Sequence, residues 1–336
     1  MMEEAAGQDD DDEIFVYMGG DQRVPGRVKR ARIHEDVKII RAGAFHFRRR
    51  LIYLEIHDGV EIIEKDAFSG CRSLKVAVKL LGVKIVKQYA FWGCESMPAV
   101  EFGDKLEEIG DDAFQRCTAL TSIKISSVRT IGKEAFGFCG ELTDVEFGEA
   151  LGTLKEAAFR GCPKLKRIAL PLKGNMIEDD VFEDCPKLTT VDLVGGIHRT
   201  VASLHDESWR SDMNNEINRI NQIQPTSAWH KTGEIDGINV YSRRTVKRMK
   251  SVEICQWMRS TISCLDHYKE EHRNLLKEAT TLLELALWKA SLSDNMVREG
   301  RGVITGEVET SRDEIRYTSG ADIVIKNVLP FLALKL

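Results

Sequence analysis

The amino-acid sequence predicts an α/β solenoid with a parallel β-sheet, followed by an α-helical C-terminal domain. The first observation is a phrase close to Ala-Phe-x-x-Cys that recurs at a fixed spacing through the first two thirds of the 336 residues. The second is a short run after each phrase in which apolar and polar residues alternate. The third is a segment, residues 250–299, that contains no Gly or Pro and carries apolar residues three and four positions apart.

The phenylalanine of the recurring phrase marks a repeat of 22 or 23 residues. It occurs at Phe45, Phe68, Phe91, Phe114, Phe136, Phe159 and Phe182. Cys follows three positions later in six copies, whereas the first copy has Arg48 there. A coil of this length is too short to bury its own apolar face, but stacked coils share one continuous core. The repeat therefore predicts a stack of coils.

Each coil is predicted to contribute one short strand to the parallel sheet. In the run at residues 123–125, Ile alternates with Lys, which is typical of a strand with one buried face. In the second copy Val76, Val78 and Leu80 are out of phase with this pattern, so a slip or a bulge is predicted there. The other runs are Leu54-x-Ile56, Val100-x-Phe102, Val145-x-Phe147, Ile168-x-Leu170 and Val191-x-Leu193.

The segment Ile109–Leu120, with the sequence IGDDAFQRCTAL, resembles the BspA-like class of leucine-rich repeats. This resemblance extends over about residues 28 to 210. It implies a leucine-rich-repeat stack that binds a partner, with surface attachment to host or matrix proteins in bacterial members of the family. The helical C-terminal extension is similar to the extensions of predicted algal repeat proteins.

Three regions are predicted along the chain. Residues 1–24 are predicted to form an acidic disordered tail, since seven acids and no base precede Ile14. Residues 25–204 are predicted to form the solenoid, with about seven to nine coils. Residues 205–336 are predicted to form the helical C-terminal domain.

The C-terminal domain is predicted to begin with a helix over residues 206–223, which Pro225 stops. Residues 224–248 are predicted to form a connection with one short ordered piece. A second helix is predicted from Lys250 onwards, with a break at residues 291–294 because an unbroken rod would be very long. The apolar tail, residues 321–334, is predicted to pack on these helices.

The charge and the termini bear on partners and location. The net charge is -5 and the pI is near 6.0, so no attraction to nucleic acid is expected. The acidic start is not expected to act as a signal peptide, and no stretch of about 20 apolar residues occurs, so no membrane span is expected and a cytoplasmic or nuclear location is predicted. Residues 23–50 contain ten basic residues and two acids; this basic segment either receives the acidic tail or binds an anionic partner.

The cysteines are the first candidate for chemistry. Successive coils would place them about 5 Å apart, within disulfide reach, but a small apolar filler is the preferred interpretation. Cysteine pairs or histidines at zinc spacing are absent from the sequence, and so are the phosphate-binding and nucleophile motifs. No catalytic residue, cofactor or metal site is therefore predicted, and the chain is not predicted to be an enzyme.

The candidate partner-binding residues lie on the strands and beside the buried phenylalanines. The strand residues predicted to face outward form a row with an acidic bias. They are Glu55, Glu101, Lys124, Glu146 and Asp192, together with Val78 and Ala169. Trp92 and Phe138 are predicted to be exposed anchors next to the buried Phe, and Trp288 is predicted to be an exposed anchor on the C-terminal helix.

The sequence as a whole predicts a protein-interaction module, a binding solenoid or scaffold without catalysis. Its partner is predicted to be a protein, and self-association through the C-terminal helices, in the manner of a coiled coil, is a further expectation. Two alternatives stay open. One is a secreted or surface adhesin that binds matrix or host proteins, and the other is a regulatory solenoid fused to an unrecognised catalytic helical domain.

Overall fold

The computed structural model describes residues 13–204, 206–222, 234–235, 238–239 and 243–299, and the side chains of residues 13–204, 206–221 and 251–289. The chain divides into two compact units. The first comprises Met1–Ile197 and Glu216–Ile262, and the second comprises His198–Asn215 and Ser263–Leu336.

The first unit contains the predicted solenoid, with about seven turns, each built from two short parallel strands and a tight turn. The strands are β1 Ile14–Tyr17, β2 Arg30–Ile33, β3 Ile39–Ile40, β4 Tyr53–Glu55, β5 Ile62–Ile63, β6 Val78–Leu80, β7 Ile85–Val86, β8 Val100–Phe102, β9 Glu108–Ile109, β10 Ser122–Ile125, β11 Thr130–Ile131, β12 Asp144–Phe147, β13 Thr153–Leu154, β14 Arg167–Pro171 and β15 Thr190–Val194. The predicted fold class is confirmed.

The strands lie on two sides of each coil. The two-residue strands pair in the order β13-β11-β9-β7-β5-β3 and form one six-stranded parallel sheet. The longer strands form a ribbon of three ladders, β1-β2-β4, β6-β8 and β10-β12-β14-β15. Pairing is in register, so Lys124 lies opposite Glu146, while Ile123 and Ile125 are buried. Alternation along the sequence therefore becomes a buried and an exposed face of the ribbon.

The repeat phenylalanines form a continuous column through the core. Successive ring centroids lie 4.8, 5.0, 5.1, 5.2, 5.4 and 6.1 Å apart from Phe45 to Phe182, with interplanar angles of 25° or less. All seven rings are buried. Such stacked aromatic pairs add to the stabilisation from burial, by roughly 0.5–1.5 kcal/mol for each pair.

The second copy shows the predicted register slip. Val78 is buried and pairs with Val100, and Lys79 pairs with the exposed Glu101. The expectation that Val78 faces outward is therefore wrong, because one extra residue before β6 moves Lys79 into the outward position. The ribbon is interrupted between β4 and β6 at this point.

The N-terminal end of the solenoid begins earlier than predicted. β1 pairs in parallel with β2, and both Tyr17 and Val24 are buried. The prediction of a disordered tail over residues 1–24 is wrong for this part, because the apolar run Ile14–Tyr17 has an open strand edge on which to pair. Residues 1–12 lie outside the described residues.

The C-terminal region is helical, as predicted, and its elements are α1 Ile197–Ala202, α2 Glu207–Gln222, an antiparallel hairpin of β16 Glu234–Ile235 and β17 Ile238–Asn239, and α3 Arg243–Glu299. α3 begins before the predicted start at Lys250. It also runs through residues 291–294 without a break, because no Gly or Pro interrupts its hydrogen bonds. The predicted packing of residues 321–334 lies outside the described residues.

Parts of α2 and α3 belong to the first unit and cap the last coil. The Oγ of Ser251 accepts a hydrogen bond from the backbone N–H of Phe182 at 3.2 Å. The Oδ1 of Asn221 accepts one from the N–H of Val191 at 2.8 Å. Both N–H groups would otherwise face the missing next coil, so these side chains supply the acceptors that an open stack requires.

The second unit has a small aromatic contact of its own. The rings of Trp209 and Tyr268 stack at a centroid distance of 5.4 Å, and the hydroxyl of Tyr268 donates to Asp212 at 3.0 Å. Among the helices of the described residues, none is both long and apolar enough to span a membrane.

Candidate functional site

The outward row of the ribbon carries paired charges. Glu101 lies 3.8 Å from Lys79, and Lys124 lies 2.9 Å from Glu146. Arg167 reaches Asp192 at 2.6 Å and Glu146 at 3.9 Å. Lys79 and Arg167 thus offset the acids that the sequence places in this row. Each exposed pair contributes no more than about 1 kcal/mol.

The remaining row positions differ from one another. Glu55 is the last residue of β4 and is exposed. Ala169 shares the register of the row, between Glu146 and Asp192, so it lies on the outward face as predicted, but it is buried and inaccessible to a partner. A methyl group is too short to rise above the longer side chains on either side of it. Ribbon charges that neutralise one another leave little net acidity for a basic partner.

The seven turns around the repeat Phe form a second surface, which we call the turn face. The residue two positions after each repeat Phe has a positive φ. At these seven positions stand Phe47, Gly70, Gly93, Arg116, Phe138, Gly161 and Asp184, with φ values from 53° to 73°. This left-handed conformation suits Gly, and other residues adopt it at a cost of the order of 1 kcal/mol.

Phe138 occupies one of these left-handed positions and is 39% exposed. Its ring covers Gly161 of the next coil, where an added Cβ would lie only 2.6 Å from the Cδ1 of Phe138. The guanidinium carbons of Arg116 and Arg160 each lie 6.0 Å from the ring centroid. The ring and the two arginines form what we call the Phe138 cluster.

Trp92 lies on the same face, two coils before Phe138. It is half-buried, and its Nε1–H donates to Gln115 Oε1 at 2.8 Å. The amide of Gln115 in turn donates to Asp112 Oδ1 at 2.8 Å and Glu134 Oε2 at 2.6 Å. Burial and the nearby Glu134 raise the pKa of Asp112. On this shared surface Phe138 is exposed as predicted, whereas Trp92 is half-buried and not exposed, because the polar network holds its ring.

Trp288 lies on α3 in the second unit, 64% exposed, near the exposed Leu285 and Leu287. The turn-face residues Gln115, Arg116 and Arg160 were not predicted as site residues. A sequence signal for Arg116 was present, since the position two after the repeat Phe holds Gly in three copies and a large side chain in others, whereas Gln115 and Arg160 stand one position after it.

The cysteines of the repeat are thiols that fill the core. Each Sγ donates to the carbonyl of the repeat Phe in the preceding coil, at 3.1 to 3.4 Å. Burial raises the pKa of Cys71 to about 12 and also raises that of Cys94 and Cys117. All six are buried and unpaired. The described residues contain no cluster of three or more groups suited to a metal ion.

The repeat geometry agrees with a family model. The model described as the BspA type leucine rich repeat region matches residues 27–126 and 84–208, with six copies. These matches cover just over half of the chain. The chain belongs to the BspA-type leucine-rich-repeat family.

Several solved structures are similar to this BspA-type chain. A leucine-rich repeat protein from Bacteroides ovatus is 29% identical, over 49% of this chain and 43% of that one, with a TM-score of 0.43. The T. pallidum leucine rich repeat protein is 25% identical, over 58% of this chain and 88% of that one, with a TM-score of 0.43. The pneumococcal vaccine antigen PcpA is 17% identical, over 55% of this chain and 67% of that one, with a TM-score of 0.31. This BspA-type chain thus spans less than half the length of the B. ovatus protein, and no curated protein sequence matches it.

Proposed function

We propose that this protein is a protein-interaction module whose solenoid binds a protein partner on the turn face, at the Phe138 cluster. The observation that carries the proposal is an exposed aromatic ring placed between two arginines. Aromatic residues and Arg dominate the binding energy of protein interfaces, because they bring a large contact area together with fixed hydrogen-bond donors. Trp92 and Gln115 lie on the same face and extend it.

Backbone conformation supports this choice of surface. Phe138 has a φ of 59°, a conformation that Gly adopts in three of the other six copies of the turn. Local conformation favours Gly over Phe at this position, and more than a third of the ring is exposed to water. Contact with a partner would supply the missing stabilisation, since an exposed ring that loses water on binding contributes to affinity.

The same conformation offers a variant that separates binding from folding. Replacing Phe138 by Gly removes the ring and its contact with Gly161 but relieves the left-handed conformation, so the solenoid is expected to fold with only a small change in stability. Phe47 provides a matched control. It stands at the equivalent turn position with a φ of 53°, is 43% exposed, and covers Gly70.

The experiment begins with the full chain carrying a photo-crosslinking amino acid in place of Arg116, on the turn face, or of Lys124, on the ribbon. The protein captured at position 116 is identified and purified, and its affinity is measured for the wild type, Phe138→Gly and Phe47→Gly. We expect Phe138→Gly to bind at least tenfold more weakly, as for an interface anchor, and Phe47→Gly to bind within about twofold of the wild type. Unchanged affinity of Phe138→Gly, with the partner captured equally at position 124, contradicts the proposal.

A further inference from the structure

The N-terminal end of the solenoid contains a cleft of about 430 Å³ between the loop that follows β1 and the turn of the first coil. Residues 20–23 of the loop line one side, and residues 41–44, 46 and 48 line the other. Three guanidinium groups, those of Arg23, Arg41 and Arg48, belong to this lining, against the single carboxylate of Asp21. The cleft therefore carries a positive charge.

Arg48 is fixed in place by the backbone. Its Nε–H donates to the carbonyl of Val24, and its Nη1 donates to the carbonyl of His46 at 2.9 Å. Among the residues that the structure describes, the second amino group of Arg48 has no hydrogen-bond partner, and Arg23 has no ion pair. Of the three arginines, Arg41 is the one with an ion pair among the described residues, with Glu64 at 3.8 Å. The guanidinium groups of Arg23 and Arg48 thus remain able to bind an anion.

The cleft also contains an open backbone acceptor. Between consecutive coils, a turn N–H of one coil donates to a carbonyl of the next coil, as from Gly43 to Lys65 at 3.0 Å and from Asp66 to Gln88 at 3.1 Å. The residue that corresponds to Lys65 in the first coil is Ala42, and within the described ranges no N–H donates to its carbonyl. The cleft therefore occupies the place where the turn of a preceding coil would lie.

We propose that this cleft binds an acidic peptide segment of a partner protein. A main-chain N–H of the peptide donates to the carbonyl of Ala42, and carboxylates of its side chains accept from Arg23 and Arg48. A small free anion would satisfy the arginines but not the carbonyl, whereas a peptide satisfies both. The proposal rests on the proposed function in that the ligand is a protein, but it concerns a different surface from the Phe138 cluster.

The test uses the full chain and a fluorescein-labelled peptide of six glutamates, with binding followed by fluorescence anisotropy. All seven acids before Ile14 are replaced by the corresponding amides in every variant (Glu3, Glu4, Asp9, Asp10, Asp11, Asp12 and Glu13), so that these carboxylates do not compete with the peptide. Arg23→Gln is the informative substitution, because this exposed side chain lines the cleft and has no structural partner among the described residues. Arg27→Gln is the matched control, an exposed arginine of the same loop outside the cleft.

We expect Arg23→Gln to weaken binding at least fivefold and Arg27→Gln to leave it within twofold. The corresponding peptide of six glutamines is expected not to bind, and a glutamate peptide with N-methylated amides is expected to bind at least threefold more weakly. Equal losses in the two arginine variants overturn the proposal, since they indicate general attraction to the basic segment. Full binding of the N-methylated peptide overturns the main-chain contact. Phe138→Gly is expected to leave peptide binding unchanged, so failure of either proposal is distinguishable from failure of the other.

Discussion

Tyr17 lies against Phe45 with ring centroids 5.4 Å apart and ring planes inclined by 58°. Every later neighbour in the phenylalanine column stacks within 25° of parallel. The hydroxyl of Tyr17 donates to the carbonyl of Gly20 at 3.4 Å, which holds the tilted ring in place. Tyr17 therefore closes the column at its N-terminal end, because its tilted ring covers Phe45 without offering a parallel face to a further ring.

A cavity in the middle of the column is expected to destabilise the protein more than one at its end. Phe114→Ala should lower the free energy of unfolding by roughly 3–5 kcal/mol, because two full coils hold the walls of the cavity apart. Phe45→Ala should lower it less, since its other side is covered by Tyr17 of the first strand and not by a full coil of the repeat. Urea melts with unchanged m-values measure both. Equal losses would contradict the nearest-neighbour description of the stack.

The hydroxyl of Ser251 is expected to stabilise the last coil. Ser251→Ala leaves the buried N–H of Phe182 without an acceptor and should lower the free energy of unfolding by about 1–3 kcal/mol. Ser263→Ala, at an exposed position of the same helix, should change it by less than about 0.5 kcal/mol. Hydrogen exchange of the Phe182 amide gives a second measurement. If its protection is the same in Ser251→Ala, Ser251 does not cap the coil.

A side chain at Gly161 is expected to disturb the turn face. Gly161 has a φ of 70°, and an added Cβ would meet the ring of Phe138 at 2.6 Å. Gly161→Ala should therefore lower the free energy of unfolding by about 1–2 kcal/mol and displace the ring. Gly140→Ala serves as the control, because its Cβ would meet its nearest neighbour at an ordinary 3.8 Å. Thermal melts of the two variants measure the difference in their stability. Equal stability would show that a side chain at Gly161 does not disturb the turn face.

The repeat cysteines are expected to react slowly with thiol reagents in the native protein. Cys94, Cys117 and Cys139 are buried, whereas Cys255 and Cys264 are half-buried and should be modified first. Labelling followed by mass spectrometry gives the order of modification, and labelling in urea shows that all eight can react. Rapid modification of Cys117 in the native state, or a disulfide in fresh protein, would contradict the role of these residues as core filler.

Burial of Cys71 also predicts a pH dependence. The pKa rises from its ordinary value of 9.0 to about 12 in the folded chain, so folding favours the protonated thiol. The stabilisation is present in full below pH 9 and is lost as the pH rises from 9 towards 12, by about 1.4 kcal/mol for each pH unit. Urea melts at pH 8 and pH 10.5 should show a smaller loss in Cys71→Ala than in the wild type. Equal losses would show that Cys71 does not titrate in this way.

The sequence predicted the parts of this fold that repeat. Phe114 and Cys117 are recognisable because six other coils hold an equivalent Phe and five an equivalent Cys at the same offset, and in-register stacking makes residues at that offset neighbours in space. Ser251 and Asn221 have no equivalents in the repeat, so only the structure relates them to Phe182 and Val191. The strand Ile14–Tyr17 also lies outside the repeat. It was not predicted, because the acidic residues before it dominate the local composition.

The candidate surfaces were only partly predictable. Phe138 stood out as a large apolar side chain beside the repeat Phe, but its contacts with Arg116 and Arg160 depend on neighbours in two other coils. The acidic bias expected for the ribbon did not take account of Arg167, which lies two residues before the predicted position in its strand and pairs with Asp192. An acid on one strand is neutralised by a base on the adjacent strand, which is close in space but distant in the sequence.

The stacking of coils has a mechanical consequence. Tension applied between the two ends of the repeat region passes through every coil in series, because no strand connects distant coils. The coils are therefore expected to detach singly, starting with whichever terminal coil is held least firmly. Each detachment lengthens the chain by 22 or 23 residues, about 75 Å when extended. A force-extension trace of this region would then be a saw-tooth of evenly spaced rupture steps.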